Sequence, residues 1–199
     1  LTFQVGQQIV QPEVIPGRIL VMLQGRARLV GEDQGRVISL GKFEAGSVLG
    51  AASLMCGAGL ENLIASDAVV AASISDELWA EFYSSEPKFR NFCDAQLWAS
   101  EVVVGLKNLQ QQNAQARLPF LELFKLGLQN ASRVLTSTEA INAAQNEQRQ
   151  VFLCSAWAGC KPGERLEPGT LPPESAPFPS RLISLPTALV DQILNAESR

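Results

Sequence analysis

Few side chains in this sequence can do chemistry. Histidine is absent, which removes the usual general base, the commonest metal ligand and the usual partner of a serine or cysteine nucleophile. The four cysteines, Cys56, Cys93, Cys154 and Cys160, lack the CxxC spacing of zinc and redox motifs. They read as buried thiols, with Cys154 and Cys160 as the one pair to test for a disulfide. No nucleophile, base and metal set converges, so an enzyme is the least favoured class. Arg26 and Arg28 alternate along a strand-like stretch and so fall on one face. They are either a solvated surface or an anion contact completed by a neighbouring strand.

Elements must hold whatever site exists, and the composition permits them. A chain of 199 residues with 46% hydrophobic and 18% charged residues can build one large domain or two small ones. Sixteen basic against twenty acidic residues leave a net charge of -4, so nucleic acid is not an expected partner. Apolar runs such as Ile19-Leu20-Val21-Met22-Leu23 fall far short of the roughly 20 residues that cross a bilayer. The chain begins at Leu1 without a signal-like leader. A cytoplasmic piece of a longer polypeptide is the expectation, touching a membrane only through a part not included in this sequence.

Residues 1 to 75 read as short strands broken by glycine turns, which predicts an antiparallel β-roll. Its expected inward residues are Ile19, Val21, Leu23, Leu29, Ile38 and Leu40, with a polar turn over 31–35 and one helical turn between Leu49 and Met55. Ser75 is a candidate N-cap for a helix from Asp76 to Tyr83. Glu86-Pro87 then opens a long helix to about Asn113, along which Phe89, Phe92, Gln96, Ala99, Val103, Leu106 and Gln110 form a stripe at spacings of three and four. Leu118 to Leu135 has helical periodicity, Thr136 with Glu139 reads as a capping box, and Val151 to Trp157 and Leu182 to Leu185 are strand candidates. The proline-dense stretch 161–179 excludes regular structure, and Pro186 starts a last helix. The fold class is therefore mainly β with α: a jelly-roll-like barrel over 1–113 including its long helix, then a smaller mixed α/β region, 114–199, of unknown role.

The front half resembles the cyclic-nucleotide-binding domain family, the effector domains of catabolite-activator proteins, gated channels and kinase regulatory subunits. Phe3 with Gly6-Gln7-Gln8-Ile9, the run from Ile19 to Leu29 and Gly46-Ser47-Val48-Leu49-Gly50 carry the likeness, and Gly25, Gly46 and Gly50 match the family's glycine framework. The resemblance implies a phosphate cassette. In that cassette backbone N–H groups at a short helix and one arginine hold the phosphate, while a glutamate takes the ribose hydroxyl. Its counterparts here are Gly50, Ala51, Ala52, Ser53 and Leu54, then Gly59, Leu60, Glu61 and Asn62. Gly50, Ser53 and Leu54 fit the pattern. Ala51 stands in place of the carboxylate, Gly59 in place of the arginine, and Glu61 adds a negative charge that would repel a phosphate.

The cassette is thus degenerate, no cofactor is expected, and cyclic AMP or cyclic GMP binding is disfavoured. The changes Ala51→Glu with Gly59→Arg are expected to improve it. A small molecule in the β-roll and a homodimer through helix 86–113 are the candidate partners; the second half of that helix can instead pack on the helix expected between Leu118 and Leu135. The Ile15-Pro16-Gly17-Arg18-Ile19-Leu20 segment and the proline-rich tail resemble cyanobacterial peptidase-type ABC exporters, which implies a regulatory domain of a transporter. The alternative is a catabolite-activator-type transcription regulator. That reading needs a helix-turn-helix after residue 113, where only Arg117, Lys125, Arg133 and Arg149 are scattered before the prolines.

Overall fold

A computed structural model describes residues 1–113, 119–156, 161–172 and 177–195. Cys160 and the connection 114–118 lie outside the described residues. The chain forms two compact units, Leu1–Cys93 and Asp94–Arg199.

The first unit is built from eight short strands: β1 (Thr2–Phe3), β2 (Gln8–Val10), β3 (Arg18–Gln24), β4 (Ala27–Asp33), β5 (Arg36–Phe43), β6 (Val48–Leu49), β7 (Leu63–Ala65) and β8 (Val69–Ser75). Their pairings are all antiparallel and make two four-stranded sheets, in the orders β1-β8-β3-β6 and β2-β7-β4-β5. The expected β-roll is therefore present as two sheets, not as a closed barrel. Gly25 lies where the chain leaves one sheet for the other. Its φ is 92°, and a Cβ there would lie 2.1 Å from the Ala68 carbonyl oxygen, so no other residue fits this corner. The β4–β5 hairpin turns on Gln34 (φ 50°) and Gly35 (φ 79°) alone, between the paired residues Asp33 and Arg36. Two positive φ values in a two-residue loop match the right-handed twist of the strands. The turn is shorter than the expected 31–35, because Gly31 belongs to β4.

Both sheets supply the core. Ile19, Leu29 and Leu40 are buried as expected, but Leu23 is exposed, Val21 and Ile38 are half-buried, and Leu20 and Met22 take the inward places on β3. A bulge between Met22 and Gln24 shifts the register and ends the alternation before Leu23. Ile19 is buried from the other side of β3, where its Cδ1 lies beside Gly50. Short α1 (Ala51–Cys56) follows β6. Helix α2 (Asp76–Ser85) starts as expected, with Ser75 Oγ accepting from the Leu78 N–H at 3.2 Å.

The long helix expected over 86–113 is two helices, α3 (Pro87–Ala95) and α4 (Ala99–Gln112). Periodicity continues across the break, but one tertiary contact and one local cap take its backbone groups. The Gln96 carbonyl accepts from Arg181 Nη2 and the Trp98 N–H donates to Glu101 Oε2 at 2.9 Å. Helix α4 belongs to the second unit, together with α5 (Phe120–Asn130), β9 (Ser132–Val134), α6 (Thr138–Asn146), β10 (Arg149–Leu153), β11 (Leu182–Pro186) and α7 (Thr187–Leu194). Val103 and Leu106 are buried, and α4 packs on α5 of the same chain so closely that a Cβ on Gly127 would lie 2.7 Å from Leu106 Cδ1. The three strands form an antiparallel sheet ordered β10-β11-β9. Ile141 and Ala144 of α6 cover Val134, Val151, Leu153 and Leu182 of that sheet, and each large aliphatic side chain so buried stabilises the unit by about 1.5–3 kcal/mol. Ser137, not Thr136, caps α6, its Oγ accepting from the Ala140 N–H at 3.1 Å.

Candidate functional site

The cassette segment starts at Gly50, which reverses the chain between β6 and α1 with φ 88° and ψ -11°. A side chain is strained at such a φ, and here a Cβ would also press on Pro16 and on the Arg18 carbonyl at 3.3 and 3.4 Å. The reversal turns the first N–H groups of α1 inward, where unpaired backbone donors need an acceptor. Glu61 supplies it. Its Oε1 accepts from the Gly50 N–H at 3.1 Å and its Oε2 from the Ser53 N–H at 3.0 Å, and the residue is only 5% exposed. Ser53, fully buried, answers with its own Oγ, which accepts from the Leu60 and Glu61 N–H groups, each at 3.1 Å. Four backbone donors and two side chains thus close a loop between α1 and the approach to β7.

The other expected site residues divide. Leu54 is half-buried in α1, and Ala51 and Ala52 are fully buried there, presenting only methyl groups. Asn62 points away from this loop: its Oδ1 accepts from Gln8 Nε2 at 2.6 Å and its carbonyl from the Val30 N–H at 2.9 Å. Gly59 is covered by the segment after β2. Its carbonyl accepts from the Glu13 N–H at 3.1 Å, and a Cβ on it would lie 2.1 Å from the Val14 nitrogen. The arginine expected to restore binding at this position therefore has no room. Glu61, expected to repel a phosphate, is the anion that the helix start already holds. Its spacing of eight residues from Ser53 was visible in the sequence, but its backbone partners were not.

A second polar feature of the first unit lies on the outer side of β4 and β5, a cleft of about 260 Å³ lined by Arg26, Arg28, Ser39, Lys42, Ser66 and Asp67. Arg26 and Asp67 form a bidentate pair with distances of 2.5 and 3.2 Å. The paired guanidinium holds the Asp67 carboxyl below its ordinary range, chiefly through their hydrogen bond, and the carboxylate in turn raises Arg26. In the second unit Cys154 is buried, with Sγ 3.9 Å from the Glu101 carbonyl oxygen. Among the described residues no helix is long and apolar enough to cross a membrane.

No protein-family model and no curated protein matches the sequence. Similar chains occur among solved structures. A cyclic nucleotide-binding domain from Methylobacillus flagellatus is 18% identical over 45% of this chain and 52% of its own, with a TM-score of 0.40. A transcriptional regulator from Thermotoga maritima is 12% identical over 47% and 74%, with a TM-score of 0.42. The regulatory subunit of a cAMP-independent protein kinase A from Trypanosoma brucei is 20% identical over 48% and 36%, with a TM-score of 0.41. This chain therefore spans about half the length of the first of them.

Proposed function

We propose that this chain is a regulatory domain of the cyclic-nucleotide-binding design that works without a cyclic nucleotide, as the cytosolic regulatory part of an ABC-type transporter. The observation that carries the first half is the Glu61 carboxylate on the Gly50 and Ser53 N–H groups. N–H groups at the start of a short helix are the kind of donor that the cassette implied by the resemblance offers to a phosphate, and here a tethered carboxylate takes them at no cost in association entropy. A cyclic phosphate would have to displace Glu61 and leave it buried beside a second anion. With Ala51 in place of a ribose-binding carboxylate, nothing offsets that cost. The transporter half rests on the Ile15 to Leu20 segment and the proline-rich tail. The transcription-regulator alternative asks for a helix-turn-helix after residue 113. Among the described residues that region holds a three-stranded antiparallel sheet, with α5, α6 and α7, and supports the alternative less.

Calorimetry tests this reading. Cyclic AMP and cyclic GMP should give no binding heat up to about a hundred times the micromolar range, whereas a Kd near 1 μM, about -8.2 kcal/mol, would overturn it. The reading frame around the coding segment tests the other half: membrane spans and a Walker motif are expected, and a DNA-binding module in their place would favour the alternative.

A further inference from the structure

The cleft beside β4 and β5 takes no part in the cassette, yet its charges are arranged against stability. Arg28 and Lys42 are direct partners in the antiparallel register, which puts their Cβ atoms about 4.5–5.5 Å apart, and like charges so placed are destabilising. Arg26, on the same face, has its counter-charge in Asp67. Among the described residues neither Arg28 nor Lys42 forms an ion pair. Arg28 reaches Ser39 Oγ at 3.5 Å, a long and weak contact. Two cations facing each other, in a cleft whose one carboxylate, Asp67, is taken up by Arg26 and whose lining includes Ser39 and Ser66, are half of an ion site.

We propose that this cleft binds the phosphoryl dianion of a small phosphate monoester. Arg28 offers its planar fork, Lys42 a point charge, and the two serines further donors for the remaining oxygens. A dianion matches the two unneutralised charges, whereas a monocarboxylate would leave one of them repelled. Asp67 does not oppose the ligand, because Arg26 holds it in a bidentate pair. The cleft, of about 260 Å³, has room for such a group with a small organic part attached. The site is separate from the Glu61 cassette, so it stands or falls independently of the function proposed above.

The test is a titration of the whole chain with inorganic phosphate at constant ionic strength, followed by amide chemical shifts. Saturable shifts at Ala27 to Leu29, at Ser39 to Lys42 and at Ser66 are expected, with a Kd of about 1 mM. Arg28→Gln and Lys42→Gln should each weaken binding about tenfold, the loss of one charge-assisted contact. Both should melt no lower than the parent without phosphate, because each relieves the cross-strand repulsion. If Arg28→Gln fails to fold, the exposed Lys42→Gln decides alone. Shifts that grow linearly, that sodium chloride reproduces, that survive both substitutions or that centre on Gly50 to Ser53 would mean an adventitious ion only and overturn the site.

Discussion

Among the described residues each unit buries one glutamate, and the two solve the same problem differently. Glu101 in the second unit is wholly buried and meets a wholly buried cation: Arg181 Nε lies 2.5 Å from its Oε1 and Nη2 lies 3.2 Å from its Oε2. The rest of Arg181 is held by the Gln96 carbonyl and, through its backbone N–H, by Ser155 Oγ at 2.8 Å. Glu61 in the first unit meets neutral backbone donors at a helix start. A guanidinium partner fixes two distant segments of chain to each other, as an internal strut does. Backbone N–H groups at a turn donate to any anion that reaches them, so Glu61 is held by donors that are not specific to it, whereas Glu101 is tied to one guanidinium.

Deleting one member of the strut should produce the largest effect in the molecule. Arg181→Met leaves Glu101 charged and buried without a counter-ion, and a loss of about 3–5 kcal/mol is expected in urea unfolding, with Glu101→Leu similar. The double change, replacing both charges by apolar groups, should recover most of that loss. Single variants that lose less than about 1 kcal/mol would mean that water reaches the pair, and the contrast with Glu61 would collapse.

Glu61→Ala should cost less, about 1–3 kcal/mol, because it strands two neutral N–H groups and no charge. The comparison sharpens if a small carboxylate can replace the missing side chain. About 100 mM formate should raise the Tm of Glu61→Ala relative to chloride at equal ionic strength, by mass action on the vacated donors, and leave the parent unmoved. Glu101→Ala should show no such rescue, since its surroundings are closed. A Glu61→Ala variant as stable as the parent would remove Glu61 from its role as internal anion.

The difference between these two glutamates also marks what the sequence could reveal. The strands of the first unit, their glycine corners and the caps of α2 and α6 follow from local patterns, within a residue in the case of Ser137. Strand β9 does not: the helical periodicity expected over 118–135 stops at Asn130, and Ser132–Val134 pairs with β11. The helix break at 96–98 does not, because the groups that stabilise it include Arg181, 85 residues away from Gln96. The outward turn of Leu23 depends on a bulge against β8 that alternation within β3 cannot signal. At the cassette segment, residue types marked a gap against the pattern that the resemblance implies, with Ala51 in the carboxylate's place and Gly59 in the arginine's. They could not show that Glu61 fills the gap, since its partners are backbone groups that every residue type carries, nor that the loop after β2 closes over Gly59.

The pair Arg26–Asp67 is the exposed counterpart of Glu101–Arg181, and its removal should have the smallest effect. Its side chains are 61% and 43% exposed, so water and salt screen the attraction that burial would preserve. The sign of its pH dependence follows from Asp67, whose carboxyl in the folded chain titrates below the ordinary 3.8, chiefly through the Arg26 hydrogen bond. A lowered folded-state value means that the pair contributes fully above the unfolded value and loses that contribution as pH falls through the folded one. Asp67→Asn should therefore melt slightly below the parent at neutral pH and low salt. The two should converge both when salt is raised and when the pH is brought well under 3.8. A gap that persists in high salt, or that widens in acid, would show Asp67 acting through something other than its charge, and the exposed pair would no longer serve as the weak limit against which the buried strut is measured.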